Sequence, residues 1–108
     1  MKLFVDDMRI CPAGWELART NTEAIRILAT GMVDEISLDH DIEFDYPAQG
    51  APYRCIVAET FSPIAYYIAL MNNKPKVIFH TGNIEAGQRM AEIIGCPFDH
   101  TMYHEEVL

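Results

Sequence analysis

The densest chemistry in the chain lies in two acidic clusters, Asp6-Asp7 and Asp39-His40-Asp41. Each begins where an apolar run ends: Lys2-Leu3-Phe4-Val5 leads into the first, and Ile36-Ser37-Leu38 into the second. Carboxylates at the carboxyl ends of neighbouring strands of an α/β sheet converge on one crevice. Like charges held there repel unless a cation or a proton stands between them. Magnesium favours a few carboxylates, water and phosphate oxygens. The inventory therefore predicts a Mg2+ (or Mn2+) site that handles a phosphate, with Asp6, Asp7 and Asp39 as ligands and Asp41 as an additional candidate. Asp39 is also the candidate nucleophile. The competing reading is that these are solvated loop acids.

Two imidazoles emerge from the same pattern. His40 is flanked by two acids, which favour its protonated form. His80 follows Val77-Ile78-Phe79 with no acid adjoining it. Opening a cyclic phosphate requires one group to activate water and another to protonate the departing oxygen, and a pair of imidazoles meets that need near neutral pH. Thr81-Gly82-Asn83 then precedes a helix whose first turn has unpaired backbone donors, an anion cradle in which Thr81 and Asn83 would bind phosphate. Arg9, just beyond Asp7, is placed to counter an anionic substrate. Arg19 and Arg89 are further candidates, although Arg89 also has the spacing to pair with Glu85. Trp15, Tyr46 and Tyr53 could stack on a base, with packing as the alternative for Trp15.

Those groups need a scaffold. Leu3–Val5 reads as a central strand and Trp15–Arg19 as a second short one. Thr20 and Glu23 have capping-box spacing before a helix that Gly31 stops. Glu35–Leu38 is the next strand. Residues 41–54, with Asp45, Tyr46, Pro47, Gly50 and Pro52, read as a loop forming a wall or lid, and Arg54–Phe61 fits strand or helix equally. Ser62-Pro63 has the form of an N-cap and N1 pair for a helix to about Met71. Val77–Phe79 is a core strand, and Ile84–Ile94 a helix closed by Gly95. Cys96–Leu108 would add an edge strand near Thr101–Tyr103 or a tail. Alternating strands and helices predict an α/β sandwich with a mainly parallel sheet, in one domain spanning 1–108.

Composition narrows the partners. A chain of 108 residues with a formal charge of −8 is ill-suited to an extended nucleic-acid groove or an anionic membrane. No apolar run is long enough to span a bilayer, and acids stand where a signal peptide needs its apolar stretch, so a cytoplasmic location is expected. Cys11, Cys55 and Cys96 are widely spaced and read as free thiols. There is no Walker lysine loop, no dinucleotide fingerprint and no nucleophile elbow around Ser37.

Three stretches together resemble a known family. They are Leu3-Phe4-Val5-Asp6-Asp7-Met8-Arg9 with Gly14-Trp15, Arg19-Thr20 and Glu23-Ala24; Ile36-Ser37-Leu38-Asp39-His40-Asp41; and Ile78-Phe79-His80-Thr81-Gly82-Asn83 with Gly87, Arg89 and Met90. In order and placement they are similar to the cyclic-phosphate-processing receiver-like domains, over roughly Met1–Ile94. The resemblance implies a receiver-like (flavodoxin-like) three-layer sandwich with about four to five mainly parallel strands. It implies that Asp6, Asp7 and Asp39 form the receiver acidic pocket, and that His40 and His80 are added catalytic groups. The implied activity is a metal-assisted hydrolase opening cyclic phosphate ends or cyclic nucleotides, with a small nucleotide or an RNA end as substrate. Two other functions fit the resemblance: a non-catalytic module binding a nucleotide or protein partner, and a phosphoacceptor at Asp39. The phosphate-contacting lysine of signalling receivers has no match, and Ile42–Pro47 replaces the usual glycine-bearing turn. A homodimer through an exposed edge strand is also open.

Overall fold

The computed structural model describes residues 1–48 and 51–101, with side chains over 1–42 and 59–101. Strand β1 (Lys2–Val5) is flanked by β2 (Glu16–Ala18) and β3 (Glu35–Leu38), and β3 by β6 (Lys76–Phe79), all parallel, in the order β2-β1-β3-β6. The chain leaves β1 toward one side and returns for β3 on the other. The sheet therefore has a topological switch point between β1 and β3, the place where open α/β sheets collect ligands.

The apolar runs explain the packing. Leu3, Val5, Ile36, Leu38, Val77 and Phe79 alternate with Phe4, Ser37 and Ile78, so the first set shares one sheet face. That face joins the core cluster with Ala24 and Leu28 of α1 (Asn21–Leu28), Ile64, Ala65 and Ile68 of α2 (Ser62–Ala69), and Met90, Ala91 and Ile94 of α3 (Ile84–Ile94). The result is a receiver-like α/β sandwich.

Local signals set the helix ends. Thr20 Oγ1 accepts the Glu23 N–H at 3.1 Å, and Glu23 Oε1 returns a bond to the backbone N–H of Arg19. Asn83 Oδ1 caps α3 through the Ala86 N–H, and Gly95 closes it at φ +83°, a conformation favouring glycine. α2 begins one residue earlier than expected: Phe61 is its N-cap, without a side-chain bond, and Ser62 and Pro63 lie inside the first turn.

Residues 41–60 depart from the expected loop. β4 (Asp41–Ala48) and β5 (Ala51–Thr60) pair antiparallel as a separate two-stranded sheet, which also makes Arg54–Thr60 strand rather than helix. The register slips between Tyr46↔Arg54 and Ala48↔Ala51. Pro47 and Pro52 fall within that slip, where a residue without an N–H costs no ladder bond. At the far edge, Phe79 donates to the Asp99 carbonyl and accepts from the Thr101 N–H, a single parallel bridge at His100. The expected edge strand at Thr101–Tyr103 lies mostly outside the described residues.

Candidate active site

Sheet register builds the site. Val5, Leu38 and Phe79 are paired across β1, β3 and β6, so the next residue of each strand, Asp6, Asp39 and His80, falls in one row at the strand ends. Backbone bonds continue the ladder into that row: Asp39 N donates to Val5 O, and His80 N to Leu38 O. All three side chains are buried, and their potential ligand atoms lie within 4.8 Å of one another. Above the row opens a cleft of about 570 Å³ lined by Asp6, Asp7, Met8, Arg9, Asp39, Asp41, Thr81, Gly82 and Asn83.

Asp6 is the most heavily bonded group. Its Oδ1 accepts the backbone N–H groups of Met8 (2.8 Å) and Arg9 (2.7 Å). Its Oδ2 accepts Arg9 Nη1 at 2.9 Å and His80 Nε2 at 2.8 Å. Burial alone would raise this carboxyl, but the bonds from His80, the Arg9 and Met8 backbone and the Arg9 guanidinium outweigh it and hold it well below the usual carboxylate range. Asp39 has the opposite environment. Burial and the neighbouring Asp6 charge push it up to about 7, against the His40 backbone N–H and the Arg9 charge. Two carboxyls in one row are thus driven apart, Asp6 toward its ionised form and Asp39 toward its protonated form.

His80 is enclosed beneath the cleft, with no exposed surface. Its ring stacks on Phe4 (4.3 Å between centroids, 6° between planes), and its Nδ1 lies 2.7 Å from Ser37 Oγ. Burial lowers its pKa against the pull of Asp6. Since an ionised carboxylate only accepts, Nε2 carries the proton, and the Ser37 hydroxyl donates to Nδ1 of the neutral ring. In the sequence Ser37 reads only as a strand residue without a nucleophile elbow. Its signal was a hydroxyl in an otherwise apolar strand, two residues before Asp39 and so on the same face.

The structure does not bring the two imidazoles together at the cleft. His40 bonds through Nδ1 to Asp41 Oδ1 at 2.5 Å, and its Nε2 lies 3.4 Å from Ser62 Oγ. Neither His40 nor His80 lines the cleft. Asp41 does, and Asn83 Nδ2 donates to it at 3.3 Å. Thr81 Oγ1 accepts the Asn83 N–H at 3.0 Å, and the Thr81 carbonyl accepts His100 Nε2 at 2.8 Å. Arg19 Nη1 donates to the carbonyls of Arg9 (2.9 Å) and Asp6 (3.4 Å), so it braces the turn after β1. Arg89 is exposed on α3, away from the cleft lining. Trp15 packs edge-on against Phe4, 6.3 Å between centroids; the side chains of Tyr46 and Tyr53 lie outside the described residues.

A receiver-like sheet with acidic residues gathered at its switch point defines a class of protein. The profile described as "Cyclic-phosphate processing Receiver domain" matches residues 1–95, and the chain belongs to that family. Comparison with curated proteins and with solved structures gave no match. The oxygen donors suit a divalent cation: carboxylate oxygens of Asp6 and Asp39 lie close together and Asp7 lines the same cleft, while both nitrogens of His80 are engaged by Asp6 and Ser37. A buried Asp, Asp, His cluster in a member of this family fits a catalytic, metal-assisted role. No helix among the described residues is long and apolar enough to cross a membrane.

Proposed function

We propose that the protein is a metal-assisted phosphoesterase that opens cyclic phosphates, either 2',3'-cyclic phosphate ends of RNA or cyclic nucleotides. The observation that carries this reading is the row Asp6, Asp39, His80 at three strand ends, of which Asp6 and Asp39 line a cleft that also holds Arg9, Thr81 and Asn83 while His80 lies enclosed beneath them. A divalent cation held by Asp39, Asp7 and Asp6 would supply positive charge against the phosphate oxygens and make a bound water more acidic.

The chain's own groups divide the remaining work. In the reaction, a water oxygen bonds to phosphorus and one bond from phosphorus to a sugar oxygen breaks. The water loses a proton, and the departing oxygen gains one. Asp39 would help hold the cation, so the proton falls to a group outside the metal's ligands. His40, held by Asp41, which lines the cleft, is the candidate for proton transfer. His80 acts through Asp6 as a positioning residue, since both its ring nitrogens are engaged and its surface is enclosed. Thr81, Asn83 and Arg9 would hold the non-bridging oxygens.

The test is incubation of the purified protein with cyclic dinucleotides and with RNA ending in a 2',3'-cyclic phosphate, with and without Mg2+. The reading predicts a linear or ring-opened product that requires the metal. Tight binding with the ligand recovered intact would instead establish a binding module.

A further inference from the structure

Asp6 Oδ2 receives a guanidinium nitrogen from Arg9, and that same nitrogen, Nη1, lies 3.7 Å from Asp39 Oδ2. A positive charge therefore already stands between the two carboxylates best placed for a cation. With two backbone N–H groups on Oδ1 and Arg9 and His80 on Oδ2, Asp6 holds four donors, about as many as a carboxylate accepts. Asp6 can join the ligands of a metal only if one donor leaves.

Three of the four are fixed. The Met8 and Arg9 N–H groups belong to the turn that follows β1, and His80 is clamped between Phe4 and Ser37. The fourth is the end of a long side chain that lines the cleft. The Arg9 backbone is anchored independently, its N–H on Asp6 Oδ1 and its carbonyl on Arg19 Nη1, so the side chain can change rotamer while its root stays in place.

We propose that Arg9 is a resident counter-ion that exchanges with the divalent cation. Without metal it neutralises Asp6 and Asp39. When the cation enters, the guanidinium gives up both carboxylates and turns into the cleft, where it meets the anionic substrate. This rests on the metal-assisted reading of the site and adds that one residue serves two charges in succession. A guanidinium suits the second role because its planar fork pairs with phosphate oxygens in bidentate fashion.

The exchange predicts opposite effects of one substitution. Arg9→Met removes the competitor for the carboxylates, so metal should bind more tightly, while the substrate anion should bind more weakly. Mg2+ affinity is measured by titration calorimetry on the full substrate-free chain over a pH series, since the Arg9 charge lowers the Asp39 pKa and its removal raises it, and the two proteins are compared where the affinity of each no longer changes with pH. The expected gain is roughly tenfold or more, matching the loss of one charge-assisted bond from the competing state. A second measurement uses the wild-type protein alone: Mg2+ should shift the Arg9 side-chain nitrogen NMR signals and abolish their protection from exchange. Unchanged or weaker Mg2+ affinity in Arg9→Met, or Arg9 signals indifferent to Mg2+, would overturn the exchange. Should Arg9→Met not fold, the wild-type spectra decide. Wild-type protein that takes up no Mg2+ would overturn the metal-assisted reading as well, whereas normal uptake with an unmoved Arg9 would leave that reading standing.

Discussion

His80 Nε2 stands 2.8 Å from Asp6 Oδ2 although their strands are not neighbours, for β3 lies between β1 and β6. The bond spans the middle strand, and Ser37 of that strand secures the other ring nitrogen. One buried chain of hydrogen bonds thus ties three strand ends together directly under the cleft. An imidazole in this position fixes where a carboxylate points. Such preorganisation serves an active site better than a loosely held acid does.

Ser37→Ala should expose that dependence. The substitution leaves His80 Nδ1 without its Ser37 donor in a site with no solvent access, at a cost of about 1–3 kcal/mol in urea unfolding. Ring-nitrogen NMR provides a readout that packing loss alone would not move. The wild-type ring should show a proton on Nε2 and a hydrogen-bonded, unprotonated Nδ1, and the variant should lose the Nδ1 signature. Identical ring spectra in both proteins would contradict the assignment.

Asp39 gives the metal-free protein an unusual pH dependence. Its folded pKa, about 7, lies above the ordinary 3.8, so the fold favours its protonated form. Its contribution to stability is fully present below the ordinary carboxylate range and is lost as pH rises through about 7. Asp6, held low, works the other way: its contribution is present above the ordinary range and lost in acid below it. Asp39→Asn removes the buried negative charge yet keeps an acceptor for the His40 N–H. At about pH 8 without metal it should be more stable than wild type by ~1–3 kcal/mol, a difference that shrinks toward about pH 5. Urea titrations at the two pH values check this; an equal difference at both would contradict it.

Gly87 links the cleft to the chain beyond α3. A Cβ there would lie 2.7 Å from Phe98 Cε1 and 2.9 Å from Thr81 Cγ2. Phe98 packs on Phe79 and stacks on His100, which holds the Thr81 carbonyl. Gly87→Ala gains helix propensity worth ~1 kcal/mol but forces both neighbours to shift, at ~1–3 kcal/mol. A net loss of about 1 kcal/mol is expected from thermal unfolding, with the Thr81 amide displaced in NMR spectra. A stabilised variant with an unmoved Thr81 would contradict this packing.

What the sequence revealed was what local physics decides. The apolar runs ending at Val5, Leu38 and Phe79, the Thr20 and Asn83 caps and the Gly95 stop all lie within a few residues of the element they define. The placement of Asp6, Asp39 and His80 at the strand ends could be read because each follows one of those runs directly. The β4–β5 pair could not, since Asp45, Pro47, Gly50 and Pro52 all favour turns and the pairing that overrides them is set across the hairpin. Ser37 carried too little local signal because its partner, His80, lies far along the chain. The enclosure of His80 was equally hidden, for it depends on the Phe4 ring two strands away.

The most direct test follows opening of a 2',3'-cyclic nucleotide in single-turnover reactions. Wild type and Asp39→Asn are compared with Mg2+ and with a chelator. The account predicts metal-dependent ring opening by the wild type, and a loss of roughly a hundredfold or more in a variant that remains folded. Ring opening that survives both the chelator and the substitution, or no opening of any cyclic phosphate by the wild type, would contradict it.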